Sequence, residues 1–133
     1  MKLSAGLVII QDNKILLGHP TGSPWYGTYS IPKGEMESEE SALEAAVRET
    51  KEELGIEISF NEVDKESKGV IDYTDSNGEI YKKVFYFLAH PTKLIVNNIR
   101  LQKEEIDWAG FLTKQEAEKR IFGRFKPLLK YLK

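Results

Sequence analysis

The sequence contains no cysteine, and only two tryptophans and two histidines occur among its 133 residues. Without cysteine there is no disulfide, no thiolate nucleophile, no zinc finger of the cysteine type and no iron–sulfur cluster. The same absence fits a reducing compartment and agrees with a cytoplasmic location. The two histidines, His19 and His90, read as residues with local roles rather than as a general base. Long hydrophobic runs are also missing. The longest, Gly6 to Ile10 and Val84 to Ala89, fall far short of the ~20 residues that span a bilayer. Met1-Lys2-Leu3-Ser4 lacks the apolar stretch and cleavage site of a signal peptide. Nor does one charge dominate: 21 acidic residues face 19 basic ones, a formal net charge of -2. That balance argues against a surface built to grip nucleic acid, so no stable nucleic-acid partner and no membrane partner is expected. The length and a 41% hydrophobic, 30% charged composition fit one folded domain over residues 1–133. Monomer and homodimer both remain open.

Hydrophobic patterning and turn residues place the elements. Ala5 to Ile10 and Lys14 to Leu17 read as neighbouring strands, joined at Asp12-Asn13, both of which tolerate positive φ. Residues 19–34 carry three prolines and several glycines and read as a long loop, a length that tends to be functional inside a compact domain. Ser38 to Gly55 is the clearest helix, with Ser38 as cap, Glu39 and Glu40 at its positive end and Gly55 as terminator. Ile56 to Phe60, Val70 to Tyr73, Ile80 to Ala89 and Ile106 to Leu112 read as strands, with Asn77-Gly78 as a hairpin signal. Thr113 caps a short helix through Arg120, and Phe125 to Leu132 forms a last helix with Pro127 in its first turn. Strands and helices mix without strict alternation, so the fold class is α/β or α+β with a mixed sheet.

The long helix has two stripes. Leu43, Val47, Thr50 and Leu54 fall together as the core face. Glu49, Glu52 and Glu53 fall together elsewhere, spaced i, i+3, i+4, so their carboxylates are neighbours that repel. Ala42, Ala45 and Ala46 flank that stripe and are expected to leave space above it. A solvated acidic face is one reading of such a stripe. A hard divalent cation with oxygen ligands is the other, since it resolves the repulsion.

The surrounding spacing favours the cation. Gly34 is followed after five residues by Glu40, and after seven more by Arg48-Glu49-Thr50-Lys51-Glu52-Glu53-Leu54-Gly55-Ile56. This resembles the Nudix box, G-x5-E-x7-R-E-U-x-E-E-x-G-U, in which U is a bulky aliphatic residue. Only Thr50 departs, and its β-branched side chain is expected to pack on the core face in place of the aliphatic one.

Nudix proteins hydrolyse nucleoside diphosphates linked to another moiety with Mg²⁺ or Mn²⁺, on a mixed sheet between helices with a loop–helix–loop motif. The resemblance implies Glu49, Glu52 and Glu53 as metal ligands, with Glu49 or Glu53 also orienting or deprotonating the attacking water. It implies a carbonyl near Gly34 as a further ligand, and Arg48 with Glu40 as a brace. Such chemistry needs charge neutralisation on phosphoryl oxygens and an activated water, both of which metal ions supply.

The flanks bear on substrate. Trp25 to Gly34, ending Tyr29-Ser30-Ile31-Pro32-Lys33-Gly34, resembles the W-x-x-P-K-G stretch of diadenosine polyphosphate hydrolases in this superfamily. Lys82-Lys83-Val84-Phe85-Tyr86-Phe87-Leu88-Ala89 looks like the K-x-V-x-Y-x-L-A strand of the asymmetric diadenosine tetraphosphate hydrolases. That resemblance implies Lys33 and Lys82 toward phosphate and Tyr86 toward a base. Glu105, with Glu104 beside it, stands where many family members place an extra glutamate near metal or water, and Trp108 is expected to be exposed enough to stack on a base. The expected substrate is a nucleotide, first of all a dinucleoside polyphosphate. The alternative is a MutT-type enzyme cleaving (d)NTPs, and an RNA-cap pyrophosphohydrolase is a third reading.

Overall fold

The computed structural model describes residues 1–93, 95 and 98–133. Six strands form its sheet: β1 (Lys2–Gln11), β2 (Lys14–Pro20), β3 (Lys33–Glu35), β4 (Val63–Thr74), β5 (Ile80–Ala89) and β6 (Ile106–Leu112). Their order is β4-β5-β1-β2-β6, with β3 paired to β1 off that path. The β1–β5 pair is parallel and the other pairs are antiparallel. The strand pairings make the sheet mixed, as the sequence indicates.

The β1–β2 hairpin turns at Asp12 and Asn13, with φ of 53° and 56°. Two successive positive φ values match the right-handed twist of the flanking strands. The hairpin pairs only near its turn, Ile10 with Ile15 and Gln11 with Lys14. Beyond that it opens, and residues 30–35 wedge into the gap. Lys33 pairs with Gly6 of β1, and Ser30 bridges Gly18 of β2. The stretch read as a loop over 19–34 is therefore tied down at both ends.

Side chains alternate across β1 and divide the core into two layers. Leu7 and Ile9 pack with Leu16, Phe87 and the helix α1 (Ala42–Leu54) on one face. Val8 and Ile10 pack with Leu17, Tyr86 and Leu88 on the other, beneath α2 (Lys114–Arg120) and a C-terminal 3-10 helix (Gly123–Tyr131). Among the described residues no helix is long and apolar enough to cross a membrane.

Several boundaries differ from the sequence reading. The long helix starts at Ala42, capped by Ser41 rather than Ser38. Glu39 adopts a φ of 66°, which a helix cannot include, whereas Ser41 and Glu44 form a reciprocal capping box. Ala45 and Ala46 lie buried under α1 with Thr50 and Leu54, while Leu43 and Val47 are only partly covered. The alanines thus let the helix approach the sheet rather than leaving room above the carboxylates. Thr50 packs inward as expected, its hydroxyl donating to the Ala46 carbonyl at 2.8 Å. Ile56 and Ile58 are buried with exposed neighbours, a true period of two. This segment nevertheless joins no described ladder and leads into a 3-10 turn at Phe60–Glu62. Val70 to Tyr73 is the end of a longer β4 that carries a bulge between Asp64 and Lys68. The last helix is 3-10 in character and begins at Gly123.

Candidate functional site

The helix α1 ends where Gly55, at a φ of 70°, closes on the Lys51 carbonyl. Its last turns carry Glu49, Glu52 and Glu53 toward β3 and the segment before β6. Gly34 of β3 lies against α1 so closely that a Cβ there would stand 2.1 Å from the Glu49 carboxyl carbon. Only glycine leaves the carboxylate that position. The Lys33 backbone N–H donates to Glu53 Oε1 at 2.8 Å, so β3 fixes two of the three glutamates.

Arg48 binds the cluster from the other side. Its Nε donates to Glu40 Oε2 at 2.7 Å and its Nη2 to Glu40 Oε1 at 2.9 Å, a bidentate form of the brace that the family resemblance implies. Nη1 reaches Glu49 Oε1 at 2.9 Å and Glu52 at 3.1 Å, and Nη2 also reaches the Glu35 carbonyl at 3.0 Å. The Arg48 guanidinium holds the Glu40 carboxyl below the usual carboxylate range.

The charges do not balance. One guanidinium is shared by Glu40, Glu49 and Glu52, while Glu53 is held by a neutral N–H. Burial pushes the Glu49 carboxyl up despite Arg48. Burial likewise pushes Glu53 up to about 7, with the charges of Glu49 and Glu105 adding to it. Among the described residues no three acidic or imidazole groups are already gathered as a metal cage, because Arg48 stands between Glu49 and Glu52. The all-oxygen donor set and the uncompensated negative charge still fit a hard divalent cation. Glu49, Glu52 and Glu53 are the residues that would hold it.

On the opposite face of the sheet stand Lys33 and Lys82. Lys33 pairs with Gly6 and Lys82 with Lys2, so both point to the α2 side of β1. Burial and the neighbouring Lys82 ammonium depress the Lys33 pKa, while Glu53 and Glu49 oppose the shift. Two ammonium groups side by side favour an anion between them in electrostatic terms. Ser4 lies between them on the same face of β1, and its buried hydroxyl has no hydrogen-bond partner among the described residues. Such an orphan is costly unless a ligand engages it.

The remaining expected residues fare unequally. Glu105 is exposed, and its charge acts on Glu53 as noted. Trp108 is 38% exposed and lies 5.7 Å from the Tyr29 ring. Tyr86 shares its sheet face with Lys82 as expected, yet it is 6% exposed and donates to or accepts from Tyr131 OH at 3.1 Å. It packs over Gly69, where a Cβ would stand 2.4 Å from its hydroxyl. Tyr86 is therefore a core ring and presents no open face for a base.

The ring that does flank Lys82 is Tyr73 of β4, 5.0 Å from its Nζ, with the Arg124 guanidinium at 5.2 Å. Arg124 is seated by donating to the Thr74 carbonyl at 2.9 Å. Neither residue stands out in the sequence, since pairing of β4 with β5 and docking of the terminal 3-10 helix bring them together.

Known proteins resemble this chain in sequence and in fold. A profile described as the NUDIX domain matches residues 1–132. An ADP-ribose pyrophosphatase of Methanocaldococcus jannaschii is 45% identical over 49 residues, 37% of this chain and 29% of that protein. The mRNA-decapping protein g5R of African swine fever virus is 32% identical over 111 residues, 76% of this chain and 44% of that protein. The chain thus spans less than half the length of these curated relatives. A structure of a C. elegans Ap4A hydrolase binary complex superposes with a TM-score of 0.74 at 23% identity, covering 98% of this chain and 93% of that one. With the profile spanning nearly every residue and Glu49, Glu52 and Glu53 together on the last turns of α1, the chain belongs to the Nudix family.

Proposed function

We propose that this protein is a divalent-cation-dependent pyrophosphohydrolase acting on nucleoside polyphosphates, and first of all on dinucleoside polyphosphates such as diadenosine tetraphosphate. The observation that carries the reading is the pairing of two unbalanced charge sets across β3. Glu49, Glu52 and Glu53 lie on one side with excess negative charge, and Lys33 and Lys82 lie on the other with excess positive charge. A polyphosphate chain would satisfy both at once, its oxygens taken by the lysines and its remaining charge neutralised by the Mg²⁺ or Mn²⁺ that the carboxylates would hold.

The bound cation supplies Lewis acidity toward phosphoryl oxygens and lowers the pKa of its water. The protein's own groups do the rest. Glu53, fixed by the Lys33 N–H, or Glu49 beside Gly34, is placed to orient or deprotonate the attacking water, and Glu105 adds a carboxylate from the β6 side. Lys33 and Lys82 orient the phosphates. Arg48 and Glu40 keep the glutamates in place without touching substrate.

The test is a panel of dinucleoside polyphosphates, (d)NTPs and capped RNA, incubated with Mg²⁺ and followed by product identification. Release of ATP and AMP from diadenosine tetraphosphate is expected. Failure to cleave it, with fast turnover of one nucleoside triphosphate, selects the MutT-type reading instead.

A further inference from the structure

The loop after β2 carries Trp25, 49% exposed, with its indole stacked on the His19 imidazole at 3.6 Å and an interplanar angle of 2°. His19 is 1% exposed and held on both sides. Its Nδ1 meets Asp107 Oδ1 at 2.5 Å, and its Nε2 meets the Ser23 and Pro24 carbonyls at 3.0 and 3.1 Å. Tyr29 abuts the indole edge-on at 6.2 Å. The loop itself is pinned. The Thr21 N–H donates to the Glu105 carbonyl at 3.0 Å, its hydroxyl to the Lys103 carbonyl at 2.7 Å, and the Gly27 N–H to the Lys119 carbonyl at 3.2 Å.

His19 covers one face of the indole and Tyr29 meets it edge-on, while about half of Trp25 stays exposed. A flat ring fixed on a buried backing and still half-exposed has already lost the freedom that a ligand would otherwise have to remove. Strand geometry also sets its relation to the phosphate site. Leu17 of β2 packs in the α2-side core, so His19, two residues on, faces that side too. Lys33 and Lys82 face the same side. The wedge at residues 30–35 links the two places, bridging β2 at Ser30 and pairing with β1 at Lys33.

We propose that Trp25, backed by His19, is a stacking platform for a nucleobase of the bound nucleotide, whose phosphates extend toward Lys33 and Lys82. The assignment rests on the nucleotide reading above but not on which phosphoanhydride is cleaved. Every base has a π-face, so the platform supplies affinity for a nucleoside rather than strict choice among bases.

The test uses AMP against ribose 5-phosphate, which differ in the base and contain no phosphoanhydride bond to be hydrolysed. Binding is measured by calorimetry on the full chain with Mg²⁺. Wild-type protein is expected to bind AMP about tenfold more tightly than ribose 5-phosphate. Trp25→Ala removes that advantage, and Trp25→Phe retains most of it. Lys82→Ala weakens both ligands alike. An advantage that survives intact in Trp25→Ala, or is absent from the wild type, overturns the platform. A trinucleotide with the same 5′-terminal adenylate separates a free nucleotide from an RNA end. Equal affinity supports the free nucleotide, and affinity that grows with the added residues overturns it in favour of RNA. Failure of the substrate panel alone would leave this base advantage in place, so the two proposals fail separately.

Discussion

Glu53 concentrates the chemistry of the site at a single residue. Its carboxyl is raised to about 7, chiefly by burial. A folded-state pKa above the unfolded value favours folding when the group is protonated, and that contribution is lost as pH rises through the folded pKa. The metal-free protein should therefore lose stability from this group between about pH 4.5 and 7, and Glu53→Gln should flatten that part of a melting-temperature profile. An unchanged slope in the variant would show that the carboxyl is not strained by its surroundings. Gly34 gives a second prediction. Gly34→Ala places a methyl within the Glu49 carboxylate, so kcat should fall by about tenfold or more, while the far-ultraviolet circular dichroism stays native. The glutamates and Arg48 could be found in the sequence because one helix carries them at fixed spacing. Tyr86 could not be judged there, since alternation puts it on the right face but says nothing of Tyr131 and Gly69, which enclose it. The sequence assigns no site role to Tyr73, Arg124 or Ser4, because their setting is made by strand pairing and docking between distant segments.

At the scale of elements, α1 depends on its ends. Ser41→Ala removes the cap that receives the Glu44 N–H and should cost roughly 1 kcal/mol, a fall in melting temperature of about 3–5 °C. Ser38→Ala should leave it unchanged, because Ser38 lies before the turn at Glu39. Gly55→Ala forces a left-handed φ on alanine and sets a Cβ 2.9 Å from Arg100 Cβ, a loss of about 1–2 kcal/mol or more. Thermal melts of the three variants separate these expectations. The bounds of β5 and β6 agree with the sequence reading because turns and alternation coincide at their ends. The helix start does not, because two serines stand three residues apart and only Ser41 has a glutamate at the position that completes the box. Ile56 to Phe60 shows that alternation reports half-burial, whereas a strand also requires a partner.

Across the whole molecule, a net charge of -2 is an average over unlike parts. Residues 34–56 hold eight acidic and two basic residues, whereas the other 110 hold 13 and 17. The fold turns this contrast along the chain into a contrast in space. Because β3 exposes alternate residues to opposite faces, Gly34 meets Glu49 while Lys33 meets Lys82. Mg²⁺ and a nucleotide together should raise the melting temperature by more than the sum of the two separate shifts, since one polyphosphate held by the lysines also ties the cation to the carboxylates. Simple additivity of the two shifts would argue that carboxylates and lysines bind independently.

The central claim is that the box carboxylates perform cation-dependent hydrolysis of a nucleotide phosphoanhydride. The most direct measurement is the steady-state hydrolysis of diadenosine tetraphosphate across a Mg²⁺ titration, for the wild type and Glu53→Gln, with melting temperatures recorded alongside. Turnover that requires Mg²⁺, and a kcat lower by about 10²-fold or more in the variant at saturating Mg²⁺ with melting unimpaired at pH 8, is the predicted result. Equal kcat in both proteins, or hydrolysis that persists without a divalent cation, would contradict it.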